Sequence, residues 1–171
     1  MIRDAVAEDL EAVVAIYNTS IATTTTWSER FQAPEEREEW FRERRACGDG
    51  VVVACDGPEV VGFAAYGPFR DNELWPGYRF TVENTVLVRD TQQGKGVGRA
   101  LMEELLDRAE RGGVHAMIAA VDGENTASVA FHGAIGFVEV GRLPQIGWKF
   151  DRWLDLVLME RFISCHDRHT T

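Results

Sequence analysis

Three groups of residues have types and spacings that could do chemistry. The first is Gln93-Gly94-Lys95-Gly96-Val97-Gly98, which follows the apolar triplet Val86-Leu87-Val88 and runs into Arg99 and a helical pattern. Glycines let a backbone approach a ligand closely, and a helix start offers unpaired N–H donors with a favourable dipole, so the loop reads as an anion cradle. Two other phosphate loops do not fit. No Gly-Lys-Ser or Gly-Lys-Thr follows a first glycine at P-loop spacing, and a dinucleotide fingerprint would need its third glycine at Arg99, one residue after Gly98. A glycine-rich turn without a ligand remains the alternative.

The second group lies just upstream. A strand from about Arg79 to Val88 would place Arg79, Thr81, Glu83 and Thr85 on one face and Phe80, Val82, Asn84 and Val86 on the other. If the first face lines a cleft, Arg79 can pair with a substrate carboxylate while Glu83 sits near an amine. Amide formation needs a neutral amine, and Glu83 would then serve as general base, directly or through water. The alternative is an exposed face with solvated charges. The third group is Asn125, Ser128 and His132, which share one side of a helix at i, i+3 and i+7, with Ala127, Ala130 and Phe131 on the other. A neutral His132 could donate a proton or polarise a carbonyl, or could be a purely structural donor.

The elements that must position these groups read in the order β-α-α-β-β-β-α-β-α-β-β. A short strand at Ile2-Arg3 precedes a helix over about Glu8 to Thr19, and the threonine run before Trp27 is a loop. Pro34 with Glu35 and Glu36 opens a second helix, which ends at Gly48 to Gly50. Strands at about Val51–Cys55 and Val60–Tyr66 flank an Asp56-Gly57-Pro58 turn, and a loop from Gly67 to Tyr78 leads to the Arg79–Val88 strand. Val97, Leu101, Leu105 and Ala109 mark a third helix, closed by Gly112-Gly113. Then come a strand at Ala116–Val121, a helix at Thr126–Ile135, and strands at Phe137–Val140 and Trp153–Met159. This is an α/β chain with a mixed central sheet flanked by helices, antiparallel early and parallel around the third helix.

The chain has 171 residues and a net charge of -10, enough for one domain with its own core and the wrong sign for a phosphate-backbone binder, so no nucleic-acid partner is expected. Residues 1–163 read as that single domain and 164–171 as a polar tail. No apolar stretch approaches a membrane span and the N-terminus lacks a secretory h-region, which leads us to expect a cytoplasmic protein without a membrane partner. Cys47, Cys55 and Cys165 lack metal-ligand spacing and read as reduced thiols; no His/Asp/Glu/Cys cluster suggests a metal. No Ser or Cys sits in a nucleophile motif, so direct attack by an amine is preferred to a covalent acyl-enzyme.

Gln93, Gly96 and Gly98 match the Gln/Arg-x-x-Gly-x-Gly/Ala pattern of the GNAT acetyltransferases, and Asn125, Ser128, His132 and Gly136-Phe137 resemble the family's second cofactor-side motif. Three longer segments, Arg79 to Val86, Ala127 to His132 and Leu143 to Leu156, resemble the phosphinothricin and methionine sulfone (methionine sulfoximine) acetyltransferases. The resemblance implies the GNAT acyl-CoA N-acyltransferase fold, acetyl-CoA as co-substrate, no metal, and a small amino-acid-like amine as acceptor. It implies that backbone groups from Gly94 through Lys95, Gly96, Val97 and Gly98 to Arg99 hold the pyrophosphate. Val86, Leu87 and Val88 would pair with the pantetheine arm, and Asn125 would bind it from the other side. Arg70 resembles a residue at the mouth of the substrate site, which with Arg79 would clamp an α-carboxylate. Trp27 could wall the side-chain pocket, although a core aromatic is the plainer reading. The segment with Trp148, Lys149 and Trp153 implies a homodimer. The loop from Asp71 to Gly77 departs from the pattern by being longer. Two other readings are an acetyltransferase for protein N-termini or lysines, and a non-catalytic acyl-CoA-binding sensor.

Overall fold

The computed structural model describes residues 1–23, 26–46 and 50–163, with the backbone alone at 45 and 46. Cys47, Cys165, His166, His169 and the 164–171 tail lie outside the described residues. The elements follow the expected order: β1 (Ile2–Asp4), α1 (Leu10–Ile21), α2 (Pro34–Ala46), β2 (Val51–Asp56), β3 (Glu59–Pro68), β4 (Thr81–Val88), α3 (Val97–Arg111), β5 (Ala116–Asp122), α4 (Thr126–Ala134), β6 (Val138–Lys149) and β7 (Arg152–Phe162).

The strands form one sheet in the order β1-β2-β3-β4-β5-β7-β6. The β4–β5 pairing is parallel, as the α3 crossover requires, and the other pairings are antiparallel. Both faces of the sheet centre are covered, so β2 and β3 are apolar without interruption and buried along nearly their whole length. Alternate residues go to opposite layers. Val51, Val53 and Phe63 pack toward Val13, Val14 and Phe41 of α1 and α2. Val52, Ala64 and Val82 pack with Leu101, Met102 and Leu105 of α3. Cys55 is a buried free thiol.

Two elements differ from expectation. β4 begins at Thr81, because Pro76–Tyr78 form a single 3-10 turn that carries the chain past Arg79. β6 runs to Lys149, well beyond Val140, and forms a long hairpin with β7. Its ladder is interrupted between Glu139 and Gly141 and between Leu143 and Gly147, around Pro144. A proline is tolerated there because β6 is the edge strand. The hairpin closes through Phe150 and Asp151, both at positive φ (54° and 56°), as a two-residue turn with the twist of its strands requires. Among the described residues no helix is long and apolar enough to cross a membrane.

Candidate active site

The site is built on a fork in the sheet. β4 pairs with β3 from Val82 to Val88, but with β5 only at Thr81, Val82 and Glu83. β5 itself continues to Asp122 against β7. The two parallel strands therefore part after Glu83, leaving the edge of β4 that faces β5 without a ladder over Asn84 to Val88. Two clefts meet in this gap, and Val86, Leu87, Asn125 and Ser128 line both.

The larger cleft, about 590 Å3, runs between the end of β4, the glycine loop and α4. That is enough room for a cofactor-sized ligand. Gly94 and Gly96 have φ of 74° and 84°, a region that disfavours any side chain, and a Cβ placed on either would meet no atom within 4 Å. The loop thus presents bare, open backbone. Gly96 is the residue before α3, and the first helical bond is Ala100 N–H to the Gly96 carbonyl. The amides of Val97, Gly98 and Arg99 are those a helix leaves for a ligand. Gln93 braces the loop from below, its Nε2 donating to Asp90 Oδ1 at 2.9 Å and to the Val88 carbonyl at 3.2 Å.

The smaller cleft, about 300 Å3, is lined by Tyr17, Trp27, Arg37, Glu83, Asp122 and His132, among others. Glu83 stands on the outward face of β4, yet its surroundings desolvate the carboxylate and raise its pKa above the ordinary 4.5; Arg70 and Arg44 oppose this shift without reversing it. Trp27 is 36% exposed, so the core reading of this aromatic is corrected: it is a cleft wall. Its ring packs on the backbone of Gly147, where a Cβ would lie 2.2 Å from Cζ3. The loop before it is fastened by Lys149, 1% exposed, whose Nζ donates to the carbonyls of Thr23 (2.6 Å) and Thr26 (2.7 Å).

His132 is 4% exposed and reaches both walls of the fork. Its Nδ1 lies 2.9 Å from the Ser128 carbonyl, and a carbonyl can only accept, so the proton of the neutral ring is on Nδ1. Nε2 is then a bare lone pair, 3.4 Å from Oδ1 of Asn84. Asn84 is itself held by its Nδ2, which donates to the Ile118 carbonyl at 2.9 Å, at the point where the strands separate. Burial lowers the pKa of His132 below the ordinary 6.5 and so favours the neutral ring. In that state the ring can take a proton on Nε2, with Asn84 Oδ1 ready to accept it as a hydrogen bond, but it has no proton there to give.

The remaining residues singled out in the sequence are placed as follows. Val86, Leu87, Val88, Gln93, Gly94, Gly96, Gly98, Arg99, Asn125 and Ser128 all line the larger cleft. Lys95 and Val97 do not: Lys95 is exposed and the Val97 side chain packs against the α3 core, leaving only their backbones near the loop. Asn125 is the N-cap of α4, its Oδ1 accepting from Ser128 N–H at 3.0 Å, a role its position before Thr126 would have signalled. Arg79 is not on the β4 face. Its Nη1 donates to the Pro76 carbonyl, its guanidinium stacks 4.4 Å from the Phe80 ring, and it lines neither cleft. Thr81, the first residue of β4, is half-buried and also outside both clefts. Arg70 is exposed, stacks on Phe69 and acts on Glu83 through its charge. The sequence reading missed Arg37, Asn84 and Asp122. Asn84 shares its strand face with Val82 and Val86, and an amide among apolar residues was the available signal. Among the described residues no group of His, Cys, Asp and Glu is placed to hold a metal.

A strand edge left open beside a glycine-rich helix start can take an extended, phosphate-bearing ligand, and the model of the Acetyltransferase (GNAT) family matches residues 13–137. The chain belongs to the GNAT acetyltransferases. A GNAT relative from Pseudomonas aeruginosa, L-methionine sulfoximine/L-methionine sulfone acetyltransferase, is 44% identical over 161 residues, covering 93% of this chain and 92% of the relative. The phosphinothricin N-acetyltransferase of Alcaligenes faecalis is 36% identical, covering 98% and 83%. Among solved GNAT structures, a phosphinothricin acetyltransferase from Sinorhizobium meliloti in complex with acetyl-CoA superposes with a TM-score of 0.89 at 35% identity, covering 95% of this chain and 87% of that one. The Salmonella typhimurium protein yncA, solved with its cofactor acetyl-CoA, gives 0.93 at 37% identity and covers 98% and 95%.

Proposed function

We propose that this GNAT acetyltransferase moves the acetyl group of acetyl-CoA to the amino group of a small amino-acid-like substrate of the methionine sulfoximine, methionine sulfone or phosphinothricin type. The observation that carries this is the junction of the two clefts: the larger has the bare glycine backbone and open strand edge that a pyrophosphate and a pantetheine arm need, and the smaller holds two proton acceptors, Glu83 and His132. The relatives' names supply the acceptor class.

Acetyl-CoA supplies an activated thioester. Amides of Gly94 to Arg99 hold its pyrophosphate, and the unladdered edge of β4 from Val86 to Val88 aligns its arm as an added strand. Glu83, with its raised pKa, takes a proton from the incoming ammonium, directly or through water. His132 Nε2 is a second proton acceptor facing the same gap. The nitrogen lone pair then forms the C–N bond as the C–S bond breaks, and the amine's second proton leaves with the thiolate or through His132. Fixing the two reactants in adjoining clefts is itself a large part of the acceleration. Arg70 and Trp27 belong to the acceptor side, and the contribution of Thr81 is limited to its place at the start of β4.

We further propose a homodimer formed through β6 and β7. Trp148 and Trp153 pair edge to face with centroids 5.1 Å apart, yet each is more than half exposed on this edge hairpin, as are Ile146 near them and Val138 at the other end of β6. The buried free thiol of Cys55 suits a reducing cytoplasm. The central test is a thiol-release screen with acetyl-CoA over free amino-acid analogues and a peptide panel. Turnover of methionine sulfone or phosphinothricin is expected; release with peptides alone would overturn the acceptor assignment.

A further inference from the structure

Arg37 is a half-buried cation with no ion-pair partner among the described residues. It sits in the first turn of α2 and lines the smaller cleft, as Glu83 does. Its guanidinium stacks 4.0 Å from the Tyr17 ring and 4.6 Å from the Trp40 ring, and its Nε donates to Gln32 Oε1. These contacts fix the plane of the fork; the Gln32 bond takes one of its five N–H groups and Tyr17 is a further hydrogen-bond partner. Among the described residues no carboxylate forms an ion pair with it. Burial lowers its pKa; Tyr17 opposes this through charge and a hydrogen bond without reversing it, and Arg44 adds a like charge in the direction of burial. Retaining a desolvated guanidinium in this way is costly unless something anionic meets it.

The same cleft holds the opposite case. Asp122 is 2% exposed, and its Oδ1 accepts from Glu124 N–H at 3.2 Å, but its buried Oδ2 has no hydrogen-bond partner. A cleft lined by a rigid guanidinium with no ion-pair partner among the described residues and by an unpartnered carboxylate oxygen is complementary to a zwitterion, not to a simple amine. The other arginines are less suited. Arg79 spends its guanidinium on Pro76 and Phe80, and Arg70 lies outside the cleft lining.

We propose that Arg37 is the carboxylate anchor of the acceptor site, receiving the α-carboxylate of the substrate on its two Nη groups while the amine lies on the Glu83 and Asp122 side. The assignment rests on the amino-acid reading given above and names the residue that enforces it. A planar fork held by two aromatic faces suits bidentate carboxylate binding, which a lysine could not reproduce.

The test compares L-methionine sulfone with its α-carboxamide in thiol-release assays on the full chain, for wild type, Arg37→Gln and Arg37→Lys. Calorimetry of methionine sulfone binding to CoA-saturated protein runs alongside. Wild type should favour the acid over the amide. Arg37→Gln should raise KM for the acid on the order of 10- to 100-fold, with the amide and acetyl-CoA values within about twofold, and Arg37→Lys should fall between. Equal losses for acid and amide, or no loss, would overturn the proposal. So would a wild-type enzyme that does not distinguish the two, a result that stands even if a variant fails to fold. If only peptides are turned over, the acceptor reading fails on its own. Calorimetry then decides Arg37: weaker methionine sulfone binding in Arg37→Gln supports the anchor, and no binding to wild type overturns it.

Discussion

Oδ1 of Asn84 lies 3.4 Å from Nε2 of His132 exactly where β4 and β5 part, and the other end of the same amide holds the Ile118 carbonyl. One buried side chain thus closes the apex of the fork and supplies the acceptor that an arriving proton on His132 would need. His132→Ala is expected to lower kcat by roughly 10- to 100-fold, at or below the low end for a proton-transfer group, since Glu83 remains. Asn84→Ala should lower kcat less and also destabilise the fold by about 1–3 kcal/mol, because the Ile118 carbonyl loses its buried partner. Steady-state kinetics and urea unfolding separate the two effects.

The pH dependence follows from the same two bases. Glu83 titrates above its ordinary 4.5 and His132 below its ordinary 6.5, and both act as deprotonated groups. The kcat/KM profile should therefore fall on an acidic limb, and Glu83→Gln should reduce turnover by about 100-fold or more while leaving acetyl-CoA affinity nearly intact. Stability carries the His132 signature. The folded ring binds a proton less readily than the unfolded one, so stability is full above pH 6.5 and is lost as pH falls below it. Urea midpoints for wild type and His132→Gln should converge on acidification.

Gly96→Ala and Gly98→Ala should behave differently although both alter the same loop. Gly96 requires a positive φ, so alanine there costs about 1–2 kcal/mol and disturbs the amides that meet the donor. Gly98 is helical, and its added Cβ would make an ordinary 3.5 Å contact with Phe131. A raised KM for acetyl-CoA with a lowered Tm is expected in the first variant, and a minor effect in the second.

Lys149→Met removes two hydrogen bonds from the Thr23 and Thr26 carbonyls, and Gly147→Ala would drive a methyl group into the Trp27 ring. Both changes act on the wall of the smaller cleft from the hairpin. Gly147→Ala should raise KM for the acceptor by several-fold while leaving KM for acetyl-CoA unchanged, the split expected when only one of two clefts is disturbed, whereas Lys149→Met, which also loosens Thr23 in the lining of the larger cleft, should raise both.

How far the sequence foretold this site depends on the kind of signal. The element order, the glycine loop and the alternation of Val82, Glu83, Asn84 and Thr85 were legible because periodicity and φ requirements are local. Arg79 was misplaced by counting alternation back into residues that Pro76 holds in a turn. The strand expected at Phe137–Val140 continues as β6 to Lys149, because an edge strand absorbs Gly141, Pro144 and Gly147 at two register shifts. Arg37 carried only the faint local mark of Trp40 three residues on along the same charged helix, and it is the approach of Tyr17 from α1 that makes it a half-buried cation. Trp27 likewise became a wall through Gly147, a neighbour 120 positions away in the chain.

The parting of β4 and β5 also bears on how such a protein can change over time. A ligand arm that takes the place of a neighbouring strand is read through main-chain groups, which every residue type supplies alike. The side chains along Val86 to Val88 are then free to drift with the packing beneath them, and the donor is retained through sequence divergence. The smaller cleft also takes Trp27 from its loop and Arg37 from α2, neither of which lines the larger one, so the acceptor can be exchanged by altering segments that stay clear of the donor's cleft.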